Sequence, residues 1–170
     1  MIGVMASQTK SSCMSFVFRQ EGGFQRLYSD SGNWTGGRVG VGRLLGTKFG
    51  IAASANPGVD IPNLTIAQAS AIYDAKYWTP IGGDALAPGF DLALLDLAVN
   101  SGVGKAQGWK AKSAYLGGSN AAQINRICDW RLSFLHRLAS WRRFGKGWGR
   151  RVEEARKEAL TLSTAHLEVS

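Results

Sequence analysis

The sequence is poor in the residues that most often bind metals or cross-link small domains. It contains only two cysteines, Cys13 and Cys128, which lie far apart and form neither a CxxC redox motif nor a zinc-ligand pair. The two histidines, His136 and His166, have no cysteine or acid at ligand spacing. We therefore predict no metal site and no cofactor. We expect two reduced thiols, although a disulfide between the N-terminal helix and a later helix stays open if the protein matures outside a reducing compartment.

Long apolar runs are also lacking. No stretch approaches the roughly 20 apolar residues that a membrane span requires. Residues 1–14 have no apolar core followed by a small-residue cleavage site. Neither a Gly-x-Ser-x-Gly elbow nor a phosphate-binding Walker loop is present. The pattern predicts a chain that is made and folded in the cytoplasm, so that an extracellular substrate would have to be reached by another route.

Acidic residues are scarce, and the net charge of +8 is unevenly distributed. Residues 1–100 contain seven Lys/Arg and seven Asp/Glu, whereas residues 101–170 contain thirteen and five. A basic surface attracts polyanions such as nucleic acid, an anionic membrane or a charged cell wall. No helix-turn-helix, zinc or sheet-aromatic signature accompanies the basic residues, so we predict no nucleic-acid partner.

The composition and periodicity are typical of one folded domain that is α+β and mainly α. Hydrophobic residues make up 45% and charged residues 19% of the 170 residues. Ser11 or Ser12 would cap a short helix that runs to about Gln20. Irregular hairpins are expected within residues 29–51. Further helices are predicted at about 66–78, where Thr65 and Gln68 form a capping box, and at 90–101, 103–116, 120–140 and 148–162, with turns at 117–118 and 145–147.

Two carboxylates near the N-terminus suggest glycosidic chemistry. Hydrolysis of a glycosidic bond needs one carboxylic acid to protonate the leaving oxygen and a second group that activates water or stabilises the sugar cation. Glu21 and Asp30 are the only acids in the first 59 residues. Gly22 and Gly23 would end the first helix at Glu21 and turn the chain so that Asp30 can return toward it. On these residues alone, Glu21 could equally be a solvated carboxylate at a helix end.

Several separate blocks, in order, resemble glycoside hydrolase family 108, a family of phage and secretion-associated muramidases. The first is Phe16–Phe24, which reads FVFRQEGGF and is followed by Asp30. The others are Thr47–Ile51 (TKFGI), Ala71–Tyr73 with Tyr77-Trp78, Phe90–Gly102, Arg131–Leu135, and Phe144–Trp148 with Arg150–Val152. The likeness covers roughly residues 14–160. It departs at 33–46, where this chain has an extended glycine-rich segment.

The resemblance implies a lysozyme-like fold, with a small hairpin lobe and a helical lobe, and it assigns roles to residues. Glu21 would be the general acid, while Asp30 and a threonine would hold the attacking water. Thr47 is our choice for that threonine, and Thr35 is the alternative. Within a single domain spanning 1–170, residues 14–100 would form the catalytic core and 101–165 a basic helical segment of peptidoglycan-binding type. The residues expected to line the saccharide site are Tyr77, Trp78, Asn100 and Ser101.

Three classes of function are compatible with the sequence. A muramidase would hydrolyse the β-1,4 bond between N-acetylmuramic acid and N-acetylglucosamine, whereas a lytic transglycosylase would cleave the same bond with Glu21 alone. A non-catalytic wall-binding module would need neither acid. We favour the muramidase, as a monomeric phage endolysin that reaches peptidoglycan after holin-type release from the host cytoplasm; a secretion-associated bacterial muramidase would have much the same sequence. The basic segment around Trp141 and Trp148 would contact an anionic envelope or membrane, or else form a solvated face with its rings packed inward.

Overall fold

The computed structural model describes the backbone of residues 2–165 and the side chains of residues 9–165, so His166 lies outside the described residues. Contacts divide the chain into two compact units, which we call the small unit (14–74) and the helical unit (1–13 and 75–170). No helix among the described residues is long and apolar enough to cross a membrane.

The small unit carries the β structure. It begins with the second half of helix α1, Ile2–Glu21. Strands β1 (Thr47–Lys48) and β2 (Ile51–Ala52) then pair antiparallel, and isolated bridges join Gln25 to Thr47 and Trp34 to Leu44. The glycine-rich segment is therefore a folded, irregular hairpin, as expected for residues 29–51.

Helix α2, Ile66–Tyr73, ends the small unit and begins with the predicted capping box. The Thr65 hydroxyl accepts a hydrogen bond from the Gln68 amide at 3.2 Å, and the Gln68 side chain accepts one from the Thr65 amide at 2.9 Å. The helix widens into a π-turn over Asp74–Trp78 and continues as the short helix α3, Thr79–Ile81.

The helical unit is built around one apolar helix. Helix α4 has every residue from Phe90 to Ala98 buried, as expected for a segment that is apolar on all sides. It packs against the three helices that follow it. These are α5 (Val103–Leu116), α6 (Asn120–His136) and α7 (Trp141–Ala165).

Two predicted helix boundaries are wrong. Helix α1 begins at Ile2 rather than near Ser12; Ser11 is exposed on the helix surface instead of capping its start. Helix α7 passes through the glycines that were expected to form a turn at 145–147. Gly145 is buried there because the indole of Trp141 lies where its side chain would be. The glycine thus permits close packing within the helix and does not end it.

Candidate functional site

Glu21 is the last residue of helix α1, as the sequence predicted, and it is partly buried. The helix stops because Gly22 adopts a φ of +82°, a left-handed conformation that costs glycine nothing. The Gly22 amide still donates to the Phe18 carbonyl at 3.2 Å, which closes the final turn. The carboxylate therefore extends from the end of a well-formed helix.

The β1–β2 hairpin turn lies directly against this carboxylate. Lys48 pairs with Ile51, so Phe49 and Gly50 form a two-residue turn in which both φ angles are positive, +51° and +72°. A Cβ atom built on Gly50 would lie 2.9 Å from Glu21 Oε2. The TKFGI block thus contributes a wall of the Glu21 environment as well as a strand.

Asp30 caps a short 3₁₀ turn. Its Oδ1 accepts a hydrogen bond from the Gly32 amide at 2.8 Å, at the start of the turn Ser31–Asn33. In the part of the chain that the structure describes, no other donor to this carboxylate is found, so its second oxygen has no protein donor. The Asp30 carboxylate is therefore fixed at one of its two oxygens.

Asn33 joins the Asp30 turn to strand β1. Its side chain is fully buried and donates to the Leu27 carbonyl at 3.1 Å. Its Oδ1 accepts the Thr47 hydroxyl proton at 2.8 Å, and its backbone amide donates to the Asp30 carbonyl at 3.1 Å. Asp30 and Thr47 are thus held in one hydrogen-bonded network through a residue that the sequence reasoning missed. Nothing in the sequence distinguishes Asn33 from an ordinary loop asparagine.

Thr35, the alternative threonine, has a different environment. Its hydroxyl accepts the Arg43 amide at 2.8 Å within the glycine-rich hairpin. The hydroxyl also lies where a Cβ on Gly42 would be, so it fills the space between the two hairpin arms. Thr35 therefore stabilises the hairpin, whereas Thr47 is hydrogen-bonded to Asn33, the residue that also bonds Asp30.

The four residues expected to line the saccharide site belong to the helical unit, and one of them contradicts that prediction. Trp78 is 0% exposed; its indole nitrogen donates to Asp84 Oδ1 at 2.8 Å, and Lys10 Nζ lies 5.6 Å from the ring centre. The ring is a core side chain and offers no face to a sugar. Tyr77 and Ser101 are partly buried.

Asn100, near the end of α4, is exposed. The burial of α4 ends at Ala98, two residues earlier. The Ser101 hydroxyl is 3.3 Å from Asn100 Oδ1, so these two polar groups lie together at the end of the helix.

The two acids of helix α4, Asp91 and Asp96, have structural roles. Asp91 Oδ1 accepts the amides of Gly89 and Leu92, which caps the helix. Burial raises the pKa of Asp91. Asp96 is fully buried between the guanidinium groups of Arg131 and Arg151. Burial alone would raise the pKa of Asp96, but the two cations outweigh it and lower the pKa.

The first turns of α7 form an aromatic and basic surface on the helical unit. Trp141 and Trp148 are partly buried against the core, and Trp141 stacks on His136 with ring centres 3.9 Å apart. Phe144 remains 46% exposed, with the Arg143 guanidinium 5.0 Å from its ring centre. The tryptophans thus pack inward while Phe144 and the cations face solvent.

A mainly helical fold with a two-stranded sheet, and a glutamate at the end of the first helix, is consistent with a lysozyme-like fold. The family model described as Glycosyl hydrolase 108 matches residues 14–102, more than half of the chain, and the chain belongs to this family. Membership supports a function in peptidoglycan hydrolysis. The segment beyond residue 102 lies outside this match.

A solved structure covers both units. The chain resembles SagA of Brucella abortus with a TM-score of 0.71 and 29% sequence identity, over 92% of this chain and 97% of that one. No curated protein sequence matches the chain. The fold likeness therefore extends through the C-terminal helices.

Proposed function

We propose that the protein is a muramidase that hydrolyses the β-1,4 bond between N-acetylmuramic acid and N-acetylglucosamine in peptidoglycan. The observation that carries the proposal is the network in which Asn33 links the Asp30 turn to the Thr47 hydroxyl, within the same compact unit as Glu21. This arrangement supplies a carboxylate and a hydroxyl for holding water, which a lone catalytic glutamate would not require.

Each group has a defined part in the proposed reaction. Glu21 donates its proton to the glycosidic oxygen as the bond to the anomeric carbon breaks. A water molecule attacks that carbon and gives its proton to Asp30. The Thr47 hydroxyl proton is engaged by Asn33, so its oxygen is turned to water as an acceptor. In the helical unit, Tyr77, Asn100 and Ser101 are the remaining candidates for contact with the saccharide.

The role of Asp30 is tested by comparing Asp30→Ala with Asp60→Ala on purified peptidoglycan. Asp60 is an exposed carboxylate of the same unit that accepts only a local hydrogen bond from Asn63. Asp30→Ala should lose most of the turnover while its circular dichroism stays like that of the wild type, and Asp60→Ala should keep it. Wild-type turnover in Asp30→Ala would remove Asp30 from the mechanism.

The choice between the two threonines needs a second pair of variants. Thr47→Val removes the hydroxyl that bonds Asn33, and Thr35→Val removes the hydroxyl that holds the glycine-rich hairpin. The proposal expects a fall in kcat for Thr47→Val and a loss confined to thermal stability for Thr35→Val. The reverse pattern would assign the water to Thr35.

The biological role that we propose is that of a phage endolysin that acts on the wall after release through a holin-type lesion. It is supported by the family. Expression inside bacterial cells should leave them intact until the inner membrane is permeabilised, and lysis should then follow rapidly. Lysis without permeabilisation would contradict this role.

We also propose that the surface formed by Arg142, Arg143, Phe144 and Lys146 contacts an anionic membrane. No carboxylate pairs with these three cations within residues 9–165, and an exposed aromatic ring among cations suits the boundary between headgroups and acyl chains. Lys146→Glu should weaken binding to anionic vesicles. Lys157→Glu, which makes the same charge change at an exposed site farther along α7, should weaken it less. Equal binding by both variants would contradict this contact.

A further inference from the structure

The backbone at Gly50 passes so close to Glu21 that no side chain fits between them. A Cβ atom built on Gly50 would lie 2.7 Å from the Tyr73 hydroxyl, 2.9 Å from Glu21 Oε2 and 3.2 Å from Glu21 Cγ. Real Cβ atoms essentially never come within 3.0 Å of another heavy atom outside their own chain neighbours. The Tyr73 hydroxyl and the Glu21 carboxylate therefore converge on the one point where a side chain of residue 50 would begin.

Tyr73 is the rigid member of this group. Its side chain is 3% exposed, and its ring packs edge-on against Phe18 with centres 5.1 Å apart. Its hydroxyl donates to the Phe49 carbonyl at 2.7 Å, which anchors the hairpin turn to helix α2. Glu21 is less deeply buried, and it reaches the same point from the end of helix α1. A side chain added at residue 50 would therefore overlap the Glu21 carboxylate.

We propose that Gly50 and Tyr73 are positioning residues for Glu21: Tyr73 anchors the Phe49-Gly50 turn, and the bare backbone of Gly50 sets where the carboxylate can lie. The inference rests on the proposed role of Glu21 as the general acid. Residue 50 must lack a side chain for two reasons: the turn needs its left-handed backbone, and a side chain there would overlap the Glu21 carboxylate.

Gly50→Ala tests the proposal, and the chain offers a matched control for the backbone strain that any such change introduces. Gly37 lies in the same unit with a φ of +69°, against +72° for Gly50. Among the described residues beyond its chain neighbours, its built Cβ meets only Ser54 Cβ, at 3.9 Å. Both alanine variants should lose thermal stability because both adopt a left-handed backbone, and Gly50→Ala should lose more because its Cβ would overlap its neighbours. Only Gly50→Ala also displaces the carboxylate.

The expected difference lies in turnover. A misplacement of about 1 Å in a catalytic group can cost about 100-fold in rate. Gly50→Ala should therefore lose kcat by about that factor with little change in KM, and Gly37→Ala should keep most of the wild-type kcat. Equal kcat in the two variants would overturn the positioning role of Gly50 even where the wild type is a Glu21-dependent enzyme.

Tyr73→Phe provides a second test in case Gly50→Ala does not fold. This change keeps the ring that packs on Phe18 and removes the hydroxyl that holds the turn. We expect about a 10-fold loss of kcat at nearly constant KM, with Tyr115→Phe, at a 90% exposed position, unchanged. A wild-type kcat in Tyr73→Phe would overturn the role of Tyr73.

A readout that does not depend on activity separates this inference from the proposed function. The carboxyl carbon of Glu21 can be followed by ¹³C NMR in the wild type and in both glycine variants. Its signal should shift in Gly50→Ala and stay in place in Gly37→Ala. If the wild type were inactive but the signal still shifted in Gly50→Ala, the proposed function would be wrong and the contact between residue 50 and Glu21 would stand. Unchanged signals in both variants would contradict that contact.

Discussion

Replacement of Asn33 by alanine perturbs the network that links the two residues proposed to hold water. The change removes the bond from Asn33 Nδ2 to the Leu27 carbonyl and the bond from the Thr47 hydroxyl to Asn33 Oδ1. The backbone bonds of residue 33 remain, including the one from its amide to the Asp30 carbonyl. The substitution thus separates Thr47 from the Asp30 turn without removing either residue.

The cost follows from the surroundings of the two lost bonds. A net intramolecular hydrogen bond contributes about 1 kcal/mol, and a partner left buried without one costs about 1–3 kcal/mol. Leu27 is exposed and Thr47 is only partly buried, so water can reach both freed groups. For two lost bonds we therefore expect the free energy of unfolding to fall by about 2 kcal/mol, the lower end of this range. In a chain of this length that lowers Tm by about 4–8 °C.

Urea unfolding and steady-state kinetics together test this expectation, with Asn63→Ala as the control. Asn63 is an exposed asparagine of the same unit that bonds only Asp60, and its replacement should change stability by less than about 0.5 kcal/mol. Asn33→Ala should also lose kcat by about 10-fold because the Thr47 oxygen is no longer oriented. If Asn33→Ala matched Asn63→Ala in both stability and kcat, the network would have no role in either.

Three further predictions concern the helical unit. Arg131→Met leaves the buried Asp96 with one cation. The free energy of unfolding at neutral pH, measured by urea titration, should therefore fall by about 3–5 kcal/mol. Because the folded state lowers the pKa of Asp96, wild-type stability should fall as pH drops below about 4, and the variant should lose less over that range. Gly145→Ala should lower Tm because its Cβ would overlap an indole, whereas Gly147→Ala, with nothing within 4 Å, should raise Tm through helix propensity. Burial raises the pKa of Cys128 to about 11, so a thiol reagent at neutral pH should modify it only after unfolding; rapid labelling of the native protein would contradict this.

The features that local chemistry determines were predictable from the sequence. The capping box at Thr65 starts α2, the glycines at 22–23 end α1 after Glu21, and the apolar run at 90–101 is the buried helix α4. Each of these depends on residues within one or two helical turns of each other. The same locality explains why the mainly α fold with a small β element was predicted correctly.

The features that depend on long-range packing were not predictable. Glycines at 145 and 147 are typical of a turn. The structure instead places Gly145 within α7, where the ring of Trp141 occupies the space of a side chain. Trp78 lies beside Tyr77 in an aromatic pair that could bind a sugar, but it is fully buried at the end of the π-turn. The bond between Asn33 and Thr47 spans fourteen residues of irregular chain, and no periodicity encodes it.

The most direct test of the central claim is mass analysis of the soluble muropeptides that the wild-type protein and Glu21→Gln release from purified peptidoglycan. The variant removes the proposed acid with little change in side-chain size, and it controls for contaminating hydrolases. Reducing N-acetylmuramic acid ends that form with the wild type and not with Glu21→Gln are the result we expect. Anhydro ends would instead make the protein a lytic transglycosylase, and the absence of any Glu21-dependent product from several wall types would leave a wall-binding module.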